Sequence, residues 1–310
     1  MTFLESFGAY VPARVVTSEE IGARVDTSPE WIRNVSGIDE RRFAEAGETV
    51  VDMAVCAAKD CLGRAGAAAA SLGMILVSSG SPERRFPGPA SAVAQRLGLS
   101  GVPAIDIPMA SAGSLFAMHL AHSLAAKVGR ILVVAAEKMS SVVLTEPLSR
   151  DVAVLFGDGA GACLIHPDGG VAQIRDSLIC SDGAFADDLR LEFGQPLSMN
   201  GRMVILQASR KIPGAISTVL ERNGIPPAEV DMFLMHQANQ NLIVRVAQAL
   251  GVATEKFYSN IHRYGNTSSA SMLIAAAEWQ ACAGFRPGIP AAFAAFGAGF
   301  HWGALLAVGC

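Results

Sequence analysis

The chain has no basic surplus, no paired cysteines and no leader-like segment, and each absence disfavours a class of protein. Its 24 Lys and Arg against 28 Asp and Glu give a formal net charge of -4 over 310 residues. A protein whose main partner is nucleic acid needs a clear basic surplus to bind phosphate, so that class is disfavoured. Any anionic partner must instead meet a local basic patch.

The six cysteines are scattered, and no two of them form a CxxC pair. Without a secretory context, this usage is typical of reduced, mostly buried thiols in a cytosolic protein. The amino terminus has an early acidic residue and lacks the basic region and apolar run of a signal peptide. We therefore expect a cytoplasmic protein without a structural metal.

One stretch, residues 290–310, is apolar enough to raise the question of a membrane span. Four glycines interrupt it, and His301 lies near its centre. This pattern fits a buried strand, a tight turn and a second strand better than a spanning helix. We expect no membrane contact.

The chain also contains two copies of the same order of sequence segments. A helical pattern that ends in Arg-Xaa-Gly precedes an apolar run in both halves, and segment 93–99 is matched by segment 246–252, at an offset of 153 positions. Each copy then leads to a small-residue turn, which holds Ser111 in the first half and Asn266 in the second. An ordered repeat of several elements indicates two structural units of the same kind.

Strands that alternate with helices indicate βαβ units and mainly parallel α/β sheets covered on both faces. Two such units predict a layered α/β/α/β/α body made of two pseudo-symmetric halves, residues 1–168 and 169–310. With 51% hydrophobic residues, the chain is able to bury a core of that size. We expect the functional site where the halves meet.

Ser111 is the first candidate for chemistry, because its segment runs from a strand through small residues into a helix. A nucleophile at such a junction lies near free N–H groups and the positive end of the helix dipole, which stabilise developing negative charge. Serine before a helix is also a common N-cap, and this segment alone favours the cap.

Three further segments carry polar or glycine residues at strand ends and turns. His236 follows an apolar strand, a usual place for a catalytic group, with a hydrogen-bonded core histidine as the alternative. The amide of Asn266 is able to donate to a carbonyl or to cap a helix. The glycines around Gly299 allow a backbone N–H to approach a reacting carbonyl.

Taken together in this order, these segments resemble the β-ketoacyl-acyl-carrier-protein synthase III family of thiolase-like condensing enzymes. The motifs that carry the resemblance are TSPEWI (27–32), SGIDER (36–41), FGDGAG (156–161), HQAN (236–239), GNTS (265–268) and FGAG (296–299). The resemblance covers nearly the whole chain and implies a five-layer thiolase-like fold. The first half then carries the nucleophile position, and the second carries the histidine and the asparagine.

The resemblance implies an enzyme that takes an acyl group from a coenzyme A thioester and condenses it with malonyl carried on acyl carrier protein, in fatty acid or polyketide synthesis. His236 and Asn266 would hold the malonyl thioester carbonyl and stabilise the enolate formed on decarboxylation. The N–H groups of Ser111 and Gly299 would form the oxyanion hole. Coenzyme A is then a substrate, and no metal or other cofactor is implied.

The resemblance also assigns Trp31, Arg150, Gly201 and Asn239 to coenzyme A. Trp31 would stack on the nucleotide end and Arg150 would contact a phosphate, with a core position of Trp31 as the alternative. For carrier docking, uncharged residues replace the family's frequent basic ones at three positions: Asn241, Gln248 and Ala249. The basic residues that could substitute for them are Arg202, Arg210, Lys211 and Arg245.

Phe86 matches a family phenylalanine that closes the acyl pocket of the other subunit, which implies a homodimer. Arg84 and Arg85 beside it could bind a carboxylate on the starter group and favour a dicarboxylic acyl thioester. An interface salt bridge or a solvated loop is the alternative for both arginines.

The sequence departs from the family at the nucleophile, because Ser111 occupies the position of a cysteine. A thiol near a helix terminus and an imidazole ionises readily, whereas a hydroxyl needs a general base at the moment of attack. Serine should slow condensation and leave binding and decarboxylation geometry largely intact. Ser111 is then an engineered substitution, a natural nucleophile or the mark of a non-catalytic partner subunit. A serine-dependent acyltransferase that forms esters or amides is a further alternative.

Overall fold

The computed structural model describes residues 1–192 and 194–310, in which strands and helices alternate along the chain. The strands are β1 Thr2–Tyr10, β2 Arg14–Thr17, β3 Glu40–Phe43, β4 Leu72–Ser78, β5 Ala104–Ile107, β6 Arg130–Lys138, β7 Asp158–His166, β8 Ala172–Ser181, β9 Leu189–Arg190, β10 Ser198–Met199, β11 Met232–Met235, β12 Pro290–Gly297 and β13 His301–Gly309. The helices are α1 Ser18–Arg24, α2 Pro29–Ser36, α3 Val50–Ala65, α4 Pro89–Arg96, α5 Gly113–Val128, α6 Ser140–Val143, α7 Arg150–Ala153, α8 Gly201–Arg222, α9 Gln240–Leu250, α10 Ile261–Tyr264 and α11 Ser271–Cys282.

The nine-stranded main sheet contains one strand order twice. Its order is β11-β12-β13-β8-β1-β7-β6-β4-β5, so the series β1-β7-β6-β4 in the first half corresponds to β8-β13-β12-β11 in the second. The two series meet where β1 pairs with β8. This arrangement confirms the repeat seen in the sequence. The boundary between residues 168 and 169 falls between β7 and β8 and stays a prediction.

The expectation of mainly parallel strands is wrong. Within the main sheet, β4 pairs in parallel with β5 and β6, and β11 pairs in parallel with β12. The remaining neighbours run antiparallel. The reason is that the last strand of each half returns beside the strand before it, as β13 does after the short turn that follows β12.

Three large hydrophobic cores fill the spaces between five layers of structure, and the central core lies on both faces of the middle helix layer. Side chains alternate along β6, so that Ile131 and Val133 face one core while Leu132 and Val134 face another. Helices α3 and α4 cover the first half, α8 and α9 cover the second, and α5 and α11 lie between them. Each fully buried aliphatic side chain in these cores contributes about 1.5–3 kcal/mol, which favours this layering over a single sheet open to water.

The two helices of the central layer bring the predicted turns together. Helix α5 begins just after Ser111, and α11 begins just after the turn that holds Asn266. The N–H of Ser111 donates to Ser268 Oγ at 3.0 Å, across the contact between the two halves. The functional turns of the two repeats therefore meet in the middle of the molecule.

The apolar carboxyl-terminal stretch forms β12 and β13, paired antiparallel, as its glycine pattern predicts. Among the helices that the structure describes, none combines the length and the apolar character needed to cross a bilayer. All six cysteines are free thiols, but only Cys61 and Cys163 are buried. The expectation of mostly buried thiols is therefore wrong.

Candidate active site

A cavity of about 320 Å³ lies where the two halves meet, and Ser111, His236 and Asn266 all line it. The three residues that the sequence singles out as the reacting groups thus share one space. Most of the wall is apolar, and its larger side chains come from Val35, Val154, Leu155, Phe156, Leu189, Met199, Val204, Ile205, Ile212, Leu242 and Phe296. Asp151 is the charged residue of the lining. Such a wall suits an uncharged chain with a polar end.

Ser111 adopts a strained backbone conformation. Its φ of +60° lies in the left-handed region, which is uncommon for residues other than glycine. The N–H of Ala112 donates to the carbonyl of Ala110 at 2.7 Å, so the chain turns tightly around Ser111. Ala112 is the capping residue of α5, and no side-chain cap bond is present there. The N-cap alternative for Ser111 is therefore wrong, and strain of this kind is typical of functional positions.

The N–H of Ser111 already has an acceptor, because it donates to Ser268 Oγ. The predicted oxyanion hole needs this N–H to be shared with, or released to, a substrate oxygen. Ser268 is buried and has a positive φ of 47°. The residue that accepts the Ser111 N–H is therefore itself a serine in the left-handed region. Sequence reasoning read Ser268 only as part of a motif and missed this contact.

The glycine that packs against Ser111 is Gly297 at the end of β12. A Cβ added to Gly297 would lie 2.4 Å from the Ala110 carbonyl oxygen and 3.1 Å from Ser111 Cβ, so only glycine allows this close approach. Gly299, the residue singled out from the sequence, does not line the cavity, and a Cβ there would meet the His301 ring. The oxyanion role of Gly299 stays a prediction.

His236 is buried directly after β11, and its Nδ1 lies 2.6 Å from Ser271 Oγ. The same Oγ accepts the N–H of Gln237 at 3.0 Å, which fixes the position of the hydroxyl. Burial lowers the pKa of His236 to about 4, so the imidazole is neutral near pH 7. When the Ser271 hydroxyl donates to Nδ1, the ring proton lies on Nε2, and Nε2 is a donor.

The amide of Asn266 is oriented by its own turn. Its Oδ1 accepts the N–H of Ser268 at 2.8 Å, which leaves Nδ2 as the free end of the side chain. The backbone is held as well, since the N–H of Asn266 donates to the Leu155 carbonyl at 2.9 Å and its carbonyl accepts the N–H of Gly157. Asn266 therefore offers a fixed amide donor to the cavity wall.

Three of the four residues assigned to coenzyme A line the cavity, and the fourth lies against one of them. Trp31, Gly201 and Asn239 belong to the lining, and the Arg150 guanidinium lies 4.8 Å from the centre of the Trp31 ring. Trp31 is half-buried and packs at the edge of a small hydrophobic core, so its role in coenzyme A binding stays a prediction. Asn239 caps α9 and donates through Nδ2 to the Val35 carbonyl at 2.8 Å, so its side chain fastens α9 to the helix that carries Trp31.

Phe86, Arg84 and Arg85 do not line the Ser111 cavity of their own chain. Phe86 is 85% exposed, and Arg84 lines a separate groove next to Glu83 and Pro87. An acyl-pocket role for these residues therefore requires a second subunit. That role stays a prediction.

We expect the free energy of unfolding to fall by about 3 kcal/mol as the pH drops from about 6.5 to about 4, because of His236. Its pKa is about 4 in the folded protein against 6.5 ordinarily, so the unfolded chain binds the proton first. This stability is fully present above pH 6.5 and is lost as the pH falls towards the folded pKa. Denaturant unfolding of the wild type and of His236→Gln across this range measures the effect.

The same experiment contains its own control. Burial also lowers the pKa values of His119, His122 and His301, but these residues act equally in both proteins and cancel in the difference. A difference in unfolding free energy that does not change with pH would contradict a neutral, buried His236.

Two half-sheets of the same order, with a strained serine, a neutral histidine and an oriented asparagine at their junction, define a thiolase-like condensing fold. A family model described as 3-oxoacyl-[acyl-carrier-protein (ACP)] synthase III matches residues 105–183, and one described as its C terminal matches residues 220–308. The chain is 38% identical to the β-ketoacyl-[acyl-carrier-protein] synthase III of Oleidesulfovibrio alaskensis, over 98% of each chain. It belongs to the β-ketoacyl-acyl-carrier-protein synthase III family.

Solved structures agree with this assignment. The 3-oxoacyl-[acyl-carrier-protein] synthase III of Aquifex aeolicus has a TM-score of 0.95 and 35% identity, with 99% of this chain and 100% of that chain covered. A priming β-ketosynthase of a polyketide biosynthetic pathway has a TM-score of 0.90 and 30% identity, with 99% and 96% covered. The thiolase-like five-layer fold implied by the sequence motifs is therefore confirmed.

Proposed function

We propose that this protein transfers a starter acyl group from coenzyme A to Ser111 and condenses it with malonyl held on acyl carrier protein. The observation that carries the proposal is that Ser111, His236 and Asn266 line one largely apolar cavity, with Trp31 on the same lining. Family membership supports the class of reaction. The acyl donor, the carrier and the use of serine are inferred from the residues of the site.

In the first step, Ser111 Oγ attacks the thioester carbonyl of the acyl donor. The O–C bond forms and the C–S bond breaks, so the acyl group moves to the serine oxygen, and the hydroxyl proton leaves with the thiol of coenzyme A. The positive end of α5 next to Ser111 stabilises the negative charge that develops on the carbonyl oxygen.

In the second step, the malonyl thioester loses carbon dioxide, and the resulting enolate carbon attacks the acyl-serine carbonyl. A carbon–carbon bond forms, the serine ester bond breaks, and Ser111 Oγ takes up a proton from the solvent, since its own proton left with coenzyme A. Nε2–H of His236 and Nδ2–H of Asn266 donate to the thioester oxygen, which carries the enolate charge. A neutral His236 is suited to this task because it donates a hydrogen bond without giving up its proton.

Serine makes the first step slow. His236 is a weak general base when burial lowers its pKa to about 4, so it takes little of the hydroxyl proton. The oxyester formed on Ser111 is also less electrophilic towards the enolate than a thioester. A slow acyl transfer and a normal decarboxylation site are therefore expected in the same protein.

A homodimer in the reduced cytoplasm completes the proposal. Phe86 is an apolar side chain that is 85% exposed in the single chain, and a second subunit would cover it. All six cysteines are free thiols, which fits a reducing compartment. Sedimentation of the wild type and of Phe86→Ala measures the association.

Intact-mass measurement after incubation with a series of acyl-coenzyme A thioesters tests the proposed function. We expect a covalent adduct of the acyl mass in the wild type and no adduct in Ser111→Ala. Adding malonyl carrier protein should then discharge the adduct as a β-ketoacyl product. Transfer of the acyl group to an alcohol or an amine would instead favour an acyltransferase, and the absence of any adduct or product would favour a non-catalytic subunit.

A basic surface beside the cavity is proposed to dock the carrier. Arg202, Arg210 and Arg245 are exposed on α8 and α9, the helices that form one wall, and they make no ion pair within the described chain. Lys211 does not belong to this surface, because it bonds Asp182 at 3.1 Å and lies over an aromatic ring. The proposed docking surface therefore keeps the three arginines named from the sequence and loses Lys211.

Changing the three arginines of this surface to glutamate should raise KM for malonyl carrier protein by about tenfold or more, because like charges repel an acidic carrier. The rate with malonyl-coenzyme A, which needs no docking surface, should stay within about twofold of the wild type. Lys59→Glu on α3 is the control, because Lys59 is exposed and also makes no ion pair within the described residues. Equal losses with both malonyl donors would contradict a docking role.

A further inference from the structure

Glu137 is a buried carboxylate that the proposed reaction does not use. It lies near the end of β6 with 0% of its surface exposed, and no cationic side chain among the described residues pairs with it. A carboxylate without a cation in such a place must be satisfied by hydrogen-bond donors. Its donors therefore indicate what it holds in place.

The donors to Glu137 come from two loops in different halves of the chain. From the first half, Ser81 Oγ donates at 2.6 Å and the N–H of Gly80 at 3.0 Å. From the second half, Ser269 Oγ donates at 2.6 Å and the N–H of Ser269 at 3.3 Å. One carboxylate thus joins the loop after β4 to the turn that follows Asn266.

Both loops bear directly on the turn that holds Ser111. Gly80 packs so closely on Ala110 that an added Cβ would lie 2.8 Å from the Ala110 Cβ. Ser268 Oγ accepts the N–H of Ser111 at 3.0 Å. Ser269, which Glu137 holds through both its hydroxyl and its N–H, is the next residue along the chain, so the carboxyl group fixes the position of Ser268 Oγ.

We infer that Glu137 is a positioning residue that holds Ser111 in its left-handed conformation, because it fixes the turn of Ser268 and Ser269 in which Ser268 Oγ accepts the Ser111 N–H. The link also sets Asn266, since the N–H of Ser268 donates to Asn266 Oδ1 at 2.8 Å. The nucleophile of one half and the amide donor of the other are therefore aligned by one buried carboxylate. The consequence for catalysis depends on the proposed function, whereas the structural link does not.

Glu137→Gln tests the inference because it keeps the shape and replaces one acceptor oxygen by an amide donor. Ser268→Ala removes the acceptor of the Ser111 N–H and leaves the donors to Glu137 in place, so it serves where Glu137→Gln is too unstable to purify. Ser6→Ala is the matched control, since Ser6 is a buried serine whose hydroxyl donates elsewhere, to the Cys61 carbonyl at 2.9 Å. Thermal unfolding of all variants shows which of them stay folded.

The first readout does not depend on activity. In protein labelled with nitrogen-15 serine, the backbone amide signal of Ser111 is assigned by its loss in Ser111→Ala. We expect this signal to move in Glu137→Gln and in Ser268→Ala and to stay in place in Ser6→Ala. A signal that moves in Ser268→Ala but not in Glu137→Gln would overturn the role of Glu137.

The second readout is the rate of acyl transfer from acyl-coenzyme A to Ser111. We expect Glu137→Gln and Ser268→Ala to lower it about 10- to 100-fold, with the dissociation constant of the thioester within about twofold of the wild type. The double variant should lose little more than either single variant. Additive losses, or an equal loss in Ser6→Ala, would overturn the inference. If the wild type forms no acyl-serine, the proposed function fails while the amide signal still decides the link.

Discussion

Ser111→Cys is expected to raise the rate of acyl transfer and of condensation by about 10²-fold or more. The thiol would lie next to the amino terminus of α5, where the helix dipole favours the thiolate, so attack no longer depends on a strong general base. The left-handed backbone and the space left by Gly297 are unchanged by this substitution, because only the side-chain oxygen is replaced. Intact mass and product formation from acyl-coenzyme A and malonyl carrier protein measure the gain.

The control for this gain is Ser114→Cys. Ser114 is fully buried in the first turn of α5, and its hydroxyl has no hydrogen-bond partner among the described residues. A thiol there lies near the same helix terminus but outside the cavity lining. A gain in condensation with Ser111→Cys and not with Ser114→Cys would show that the site is complete and that the serine nucleophile limits its rate. If neither variant forms a condensation product, the result would favour a non-catalytic subunit.

The reacting residues could be predicted from the sequence because the chain repeats itself. Ser111 and Asn266 occupy matching turns in the two halves, and twofold related turns of packed halves meet near their shared axis. His236 could be predicted as a catalytic residue because it comes directly after β11, at the carboxyl end of a parallel strand. Local pattern and internal symmetry are therefore enough to assemble the site in outline.

Contacts between the halves could not be predicted in the same way. The acceptor of the Ser111 N–H is Ser268, 157 positions away, and no spacing rule connects the two. In the FGAG motif, the glycine that packs against Ser111 is Gly297, which the sequence did not single out. Glu137 carries no sequence signal, since an acidic residue near the end of a strand is commonly exposed. These features depend on packing across the junction.

Replacing His236 or Asn266 by alanine is expected to lower decarboxylation of malonyl carrier protein by about 10²- to 10³-fold, because each side chain donates to the oxygen that carries the enolate charge. The loss should appear in kcat, since the two donors act more strongly on the enolate than on the ground state. Carbon dioxide release in the Ser111→Ala background isolates this step from acyl transfer.

Ser271→Ala separates the two ways in which His236 could matter. If the ring only fills space, losing the hydroxyl 2.6 Å from Nδ1 changes little. If the Ser271 hydroxyl keeps the proton on Nε2, its loss allows the other neutral tautomer, which presents an acceptor to the enolate oxygen and slows decarboxylation. The nitrogen-15 shifts of His236 should then reveal a mixture of tautomers in Ser271→Ala. Decarboxylation at the wild-type rate in His236→Ala together with Asn266→Ala would remove both residues from the reaction, and with them the chemical reason for a neutral histidine at this junction.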